Sequence, residues 1–349
     1  MCQSEEQIIP SSVRADSTIS SLDSASSSED WDSSSYLKKI PSTIVVSRTR
    51  QILHGALGGA VIAAGIVAFS LWLPFFLAPE AASKTYDWAF YSYDADTSHF
   101  DNTAWTYGTD YALAVITGSL ALSILGFSTK NNQSLCWRST GLLLSYCASV
   151  TAGGLSHHFY LDLEARNSAS FRFLWTICVG TVTLASIPMG LAGSRVLHQF
   201  QTQHPAACHP LLKQVPVLSD VFWWVFGLAV TAVCVWGGLS FQRPACDIFI
   251  AGITQTPSSF YIMIFYALVD HPKVQKWARV VGFVGFISNA PLLPMYPLLC
   301  QYTDWSLGSI NTLLHAWLCV SWCMQGVSLR HMVWALQQND VDTKLQKSC

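Results

Sequence analysis

The stretch ILHGALGGAVIAAGIVAFSLWLPFFLA, Ile52–Ala78, contains no Asp, Glu, Lys or Arg. A bilayer's hydrocarbon core is crossed by roughly 20 apolar helical residues, so this run is long enough to span it. Seven more follow: Tyr111–Phe127, Trp137–Ser156, Phe171–Gly193, Leu218–Phe241, Ile248–Val269, Val280–Leu299 and Ile310–Leu329. The recurrence predicts an all-α, multi-pass transmembrane helical bundle of eight spans. Composition agrees, with 51% hydrophobic residues, 11% charged and 14 Trp, too little charge for the surface of a water-soluble globule of this length. Membrane lipids are the expected surroundings, and no nucleic-acid partner is expected.

Charge orients the spans. With the N-terminal tail inside, only Lys84, Arg166, Arg172 and Arg243 of the 19 Lys and Arg fall in outer segments. Cytoplasmic loops concentrate basic residues, and one missed helix would invert every later loop. Both termini are therefore expected in the cytosol, with the protein in an endomembrane or the plasma membrane.

Three regions follow: a Ser-rich tail over 1–50, a helical membrane domain over 51–335 and a short tail over 336–349. The tract SLDSASSSEDWDSSS, Ser21–Ser35, has too few apolar residues to offset the entropy of ordering. Ser26, Ser27 and Ser28 precede Glu29 and Asp30, a setting that acid-directed kinases favour. The start MCQSEEQ lacks the basic and early apolar regions of a cleavable signal peptide, so the first span is expected to act as an uncleaved anchor. The outer loop from Thr85, TYDWAFYSYDADTSHFDNTAWTYG, is rich in aromatics that suit an interfacial belt or a ligand mouth.

Ionisable groups inside apolar runs are costly and point to function. Asp110 opens the second run, His157 and His158 close the third in GGLSHHF, and His315 lies in the eighth in NTLLHAWLC. The alternation places all four toward the outer side, with His315 roughly 8 Å below the boundary at the helical rise. Three histidines and a carboxylate on one level form a donor set for Zn²⁺. Each residue also has a structural explanation: Asp110 as a helix-start residue, the paired histidines as a wet span end, His315 as an interhelical hydrogen bonder.

Ser156, His157 and His158, the following Asp162 and the late His315 together resemble the pattern of the CREST membrane superfamily, which includes alkaline ceramidases and progestin and adipoQ receptors. The resemblance implies a seven-helix core, here spans two to eight, with the first span added. It also implies a Zn²⁺ held by histidines and a Ser and Asp assisting hydrolysis of a lipid amide. On this chain the ligands would be His157 or His158 with His315, and the assisting residues Asp110, as ligand or base, and Ser156, as an oxyanion donor. Two positions depart from the pattern: Gly153 or Gly154 stands where a Ser is expected, and Cys319 where a second last-helix histidine is expected. The TDYALA, GGLSHHF and FRFLW segments also resemble uncharacterised bacterial seven-span proteins.

The expected function is thus a zinc-dependent lipid amide or ester hydrolase facing the lumen or exterior. A transporter or receptor-like protein without catalytic activity is the alternative. Thr254, Gln255 and Pro257 interrupt the sixth span and Asn289 with Pro291, Pro294 and Pro297 the seventh, as in broken transporter helices. The 11 Cys form no CxxC framework, and Cys246 with Cys300 is the one pair whose outer position would suit a disulfide.

Overall fold

The computed structural model describes residues 48–77, 90–91, 103–126, 128, 133–161, 163–203, 210–239, 243–244, 251–268, 274–292, 295, 298–299 and 302–348. The Ser-rich tail, most of the first outer loop, Asp162, Asn132 and the Cys246–Cys300 pair lie outside them.

Helix dominates the described residues, and each expected span contains one: α1 (Arg48–Leu77), α2 (Ala104–Leu125), α3 (Gln133–Phe159), α4 (Ala169–Leu184), α5 (Ser186–Gln203), α6 (Asp220–Leu239), α7 (Thr256–Leu268), α8 (Lys276–Asn289) and α9 (Leu307–Ser348). Three helical stretches are long and apolar enough to cross a membrane, Thr49–Leu73, Ala104–Leu125 and Ala169–Thr202, and Asp220–Trp236 is a shorter apolar one. This is consistent with a membrane protein. A two-residue antiparallel pairing sets Phe90–Tyr91 against Arg243–Pro244.

The breaks have local causes. Pro188 carries no N–H to bond the carbonyl four residues back, and the α4–α5 run bends at Ala185, where the Ser186 hydroxyl donates to Thr183 O at 2.7 Å. The sixth span breaks at Thr254–Gln255, ahead of Pro257. There the Gln255 amide donates to Ala251 O at 3.0 Å and to Val182 O at 3.1 Å, and its Oε1 accepts from the Tyr146 hydroxyl. Helix α8 ends at Asn289, ten residues before the expected end, because the proline-rich run from Pro291 cannot supply its backbone donors.

Packing closes a ring. Helix α2 lies between α3 and α9, α3 packs on α4 and α5, α5 on α7, α7 on α8, and α8 on α9. One apolar core runs through this ring around Leu143, Tyr146, Phe265, Phe286 and Trp322. A second core, around Ile187, Trp223, Phe226 and Tyr261, joins α5, α6 and α7. Helix α1 packs on α6. A Cβ at Gly59 would stand 2.7 Å from the Phe222 carbonyl oxygen and one at Gly55 2.5 Å from the Ser219 hydroxyl, so this Gly-x₃-Gly pair permits the close contact that apolar helices use in lipid. The other side of α1 leaves Leu53, Leu57, Val61 and Phe76 exposed.

Candidate metal centre

Three elements deliver the site. Helix α2 starts at the Thr103 cap, whose hydroxyl accepts from Thr106 N–H at 3.2 Å and meets the Thr312 hydroxyl of α9 at 3.4 Å. Asp110 follows two turns into α2. Its side chain is buried and its Oδ1 stands 2.9 Å from His315 Nδ1 on α9, in a hydrogen bond between residues 205 apart in sequence.

The last turn of α3 brings the third donor. The His157 ring meets the His315 ring edge-on, with centroids 5.7 Å apart, and faces Trp175 of α4 in the same manner at 6.1 Å. Trp175 in turn stacks on Phe171. One donor atom from each of Asp110, His157 and His315 lies within 4.8 Å of the others. The approach of α3 to α2 depends on Gly154, where a Cβ would be 2.9 Å from the Tyr111 ring and 3.1 Å from Asp110 Cβ, while a Cβ at Gly153 would make ordinary contact with Asp110 Oδ2 at 3.6 Å. The absence of a side chain at Gly154 thus lets the end of α3 lie close to Asp110 and Tyr111.

His158 and Ser156 stand apart from this group. Successive helical residues are turned by about 100°, so His157 and His158 cannot both face one point. The His158 ring stacks on Tyr107 at 4.3 Å and shares a 3.2 Å hydrogen bond with the Tyr111 hydroxyl. The Ser156 hydroxyl is buried and donates to Ala152 O at 2.7 Å, which engages the proton an oxyanion donor would use. Cys319 is also absent from the three-donor group. Sequence reading missed Trp175 as the wall of His157 and the spacing role of Gly154; small residues one turn before the histidines were the available signal.

The donor set suits a metal ion. Two ligands about 2.0 Å from a tetrahedral zinc stand roughly 3.3 Å apart. The 2.9 Å Asp110–His315 pair would have to open slightly, with the shared proton leaving, and His157 would have to close in. Imidazole and carboxylate donors fit several divalent ions, so the geometry defines a candidate metal-binding triad without naming the metal.

At the opposite end, Arg138 at the start of α3 donates to Leu191 O at 3.0 Å and lies 3.8 Å from the Asp220 carboxylate at the start of α6. Arg330 of α9 donates to the Ser123 hydroxyl near the end of α2 at 2.6 Å. The fold and site together define a helical protein with three helical stretches long and apolar enough to cross a membrane and a candidate metal centre near one end. No family model, curated protein or solved structure matches the chain.

Proposed function

We propose that the chain is an eight-span membrane protein, one added helix on a seven-helix core, whose outer or lumenal end houses a zinc-dependent hydrolase of lipid amides or esters. The carrying observation is the convergence of Asp110, His157 and His315 from three helices, with donor atoms within 4.8 Å of one another. These three residues would hold Zn²⁺, and the ion supplies Lewis acidity that makes water nucleophilic at neutral pH.

The chain's own groups set up that chemistry. Before an ion enters, the Oδ1–Nδ1 contact with Asp110 holds the His315 ring turned toward the carboxylate, so that both donors already face one point. Trp175 limits rotation of His157. Asp110 can also receive a proton as hydrolysis proceeds. A lipid whose scissile bond lies near the headgroup would reach this level with its tails still in the bilayer.

Elemental mass spectrometry of detergent-purified protein tests the reading. Wild type is expected to carry close to one zinc per chain. Asp110→Asn, His157→Ala and His315→Ala are expected to lose most of it, and His158→Ala to keep it, all with unchanged monodispersity. A well-folded, zinc-free wild type prepared without chelator would overturn the hydrolase reading and leave the transporter or receptor alternative.

A further inference from the structure

Two pairs of consecutive residues meet where α2 packs on the end of α3: Asp110–Tyr111 on α2 and His157–His158 on α3. Successive helical residues are turned by about 100°, so each pair divides. The first members, Asp110 and His157, belong to the three-donor group. The second members turn to each other, with the Tyr111 hydroxyl 3.2 Å from His158 Nδ1. Tyr107, one turn before Tyr111 on the same face of α2, lays its ring on the imidazole, with centroids 4.3 Å and planes 11° apart. The Tyr111 ring meets the imidazole edge-on at 6.0 Å. One turn before His158, Gly154 leaves room for that tyrosine, since a Cβ there would stand 2.9 Å from its ring. The Tyr111 side chain therefore lies along the last turn of α3, from Gly154 to His158.

We infer that His158 is a positioning residue of the metal centre, a ring gripped by Tyr107 and Tyr111 that locks the rotation of α3 and thereby aims His157 at Asp110 and His315. The inference rests on reading the triad as a Zn²⁺ site. Turning α3 by one residue, to present His158 in place of His157, would break the Tyr111 hydrogen bond and unstack Tyr107. The grip reaches the ligand through a single peptide unit, because the two histidines are adjacent. Groups that orient a metal ligand from behind it change metal affinity without touching the ion.

The test is Zn²⁺ competition against a chromophoric chelator, with detergent-purified protein stripped of metal, arranged as a double-mutant cycle. His158→Ala is expected to bind zinc roughly tenfold more weakly than wild type. Tyr111→Phe keeps the ring on Gly154 and loses only the hydroxyl, so it is expected to bind roughly threefold more weakly. The double variant should match His158→Ala, because the hydroxyl has no imidazole left to hold. At saturating zinc each variant still takes one ion, since the triad is intact. Gly59→Leu, which presses on α6 instead, controls for loss of stability and should bind zinc as wild type does. Co²⁺ bound in place of Zn²⁺ has a visible spectrum set by ligand geometry, and this spectrum should differ between wild type and His158→Ala. Unchanged zinc affinity in His158→Ala, or losses that add in the double variant, would overturn the inference and leave the zinc reading standing. A wild type that binds no zinc would overturn both.

Discussion

His331, just past the eighth apolar run, lies 5.0 Å from the Trp277 ring and 5.8 Å from that of Trp334, and its Nε2 accepts from Gln275 N–H at 3.4 Å. Burial, aided by the neighbouring Arg330 charge, holds this imidazole below its ordinary 6.5. The unfolded chain therefore binds a proton at pH values where the folded one does not, and stability falls as pH drops below the unfolded value. Thermal midpoints measured at about pH 7.5 and about pH 5.5 should differ more for wild type than for His331→Gln. An identical pH dependence in both proteins would show that His331 does not contribute. The metal triad shows what residue-level reading achieves and where it stops. Asp110, His157 and His315 were legible because ionisable groups within apolar runs are few and counting helices sets their level. The choice between His157 and His158 was not legible, because it depends on the rotation of α3 about its axis, where Gly154 packs closely on Tyr111 and Asp110 of α2.

Among the helices, α1 tests whether small residues hold an apolar element in place. Leucine at Gly59 would press on the backbone of α6, where a Cβ already falls 2.7 Å from the Phe222 carbonyl oxygen. Overpacking of this kind costs about 1–3 kcal/mol, so Gly59→Leu should lower the thermal midpoint in detergent. Gly65→Leu is the matched control, since a Cβ there meets nothing within 4 Å, and it should leave the midpoint unchanged or slightly raised. Equal effects would mean that the α1–α6 contact contributes little. The location of each helix was legible from hydropathy, as were the interruptions near Gln255 and Asn289. The role of Gln255 was not: its amide staples the break to Ala251, Val182 and Tyr146, partners that are distant in sequence apart from Ala251.

Across the molecule, long-range contacts fix which helix ends lie together. Asp110, His157 and His315 gather the start of α2, the end of α3 and the early part of α9. Arg138–Asp220 joins the starts of α3 and α6, and Arg330–Ser123 joins the middle of α9 to the end of α2. The pairing of Phe90–Tyr91 with Arg243–Pro244 joins the segments that follow α1 and α6. The distribution of basic residues leads us to expect the Arg138 end in the cytosol. The sequon Asn132–Ser134 precedes Arg138, so it should stay unmodified when the chain is made in glycosylation-competent membranes. A mobility shift on endoglycosidase treatment would reverse the orientation.

The 205-residue separation of Asp110 and His315 also imposes a schedule. During synthesis Asp110 and His157 emerge early, while their third companion comes with the final helix. A ribosome must complete nearly the whole ring before the triad can exist. Prematurely terminated chains would then lack the centre altogether, and metal capture would report that assembly is finished.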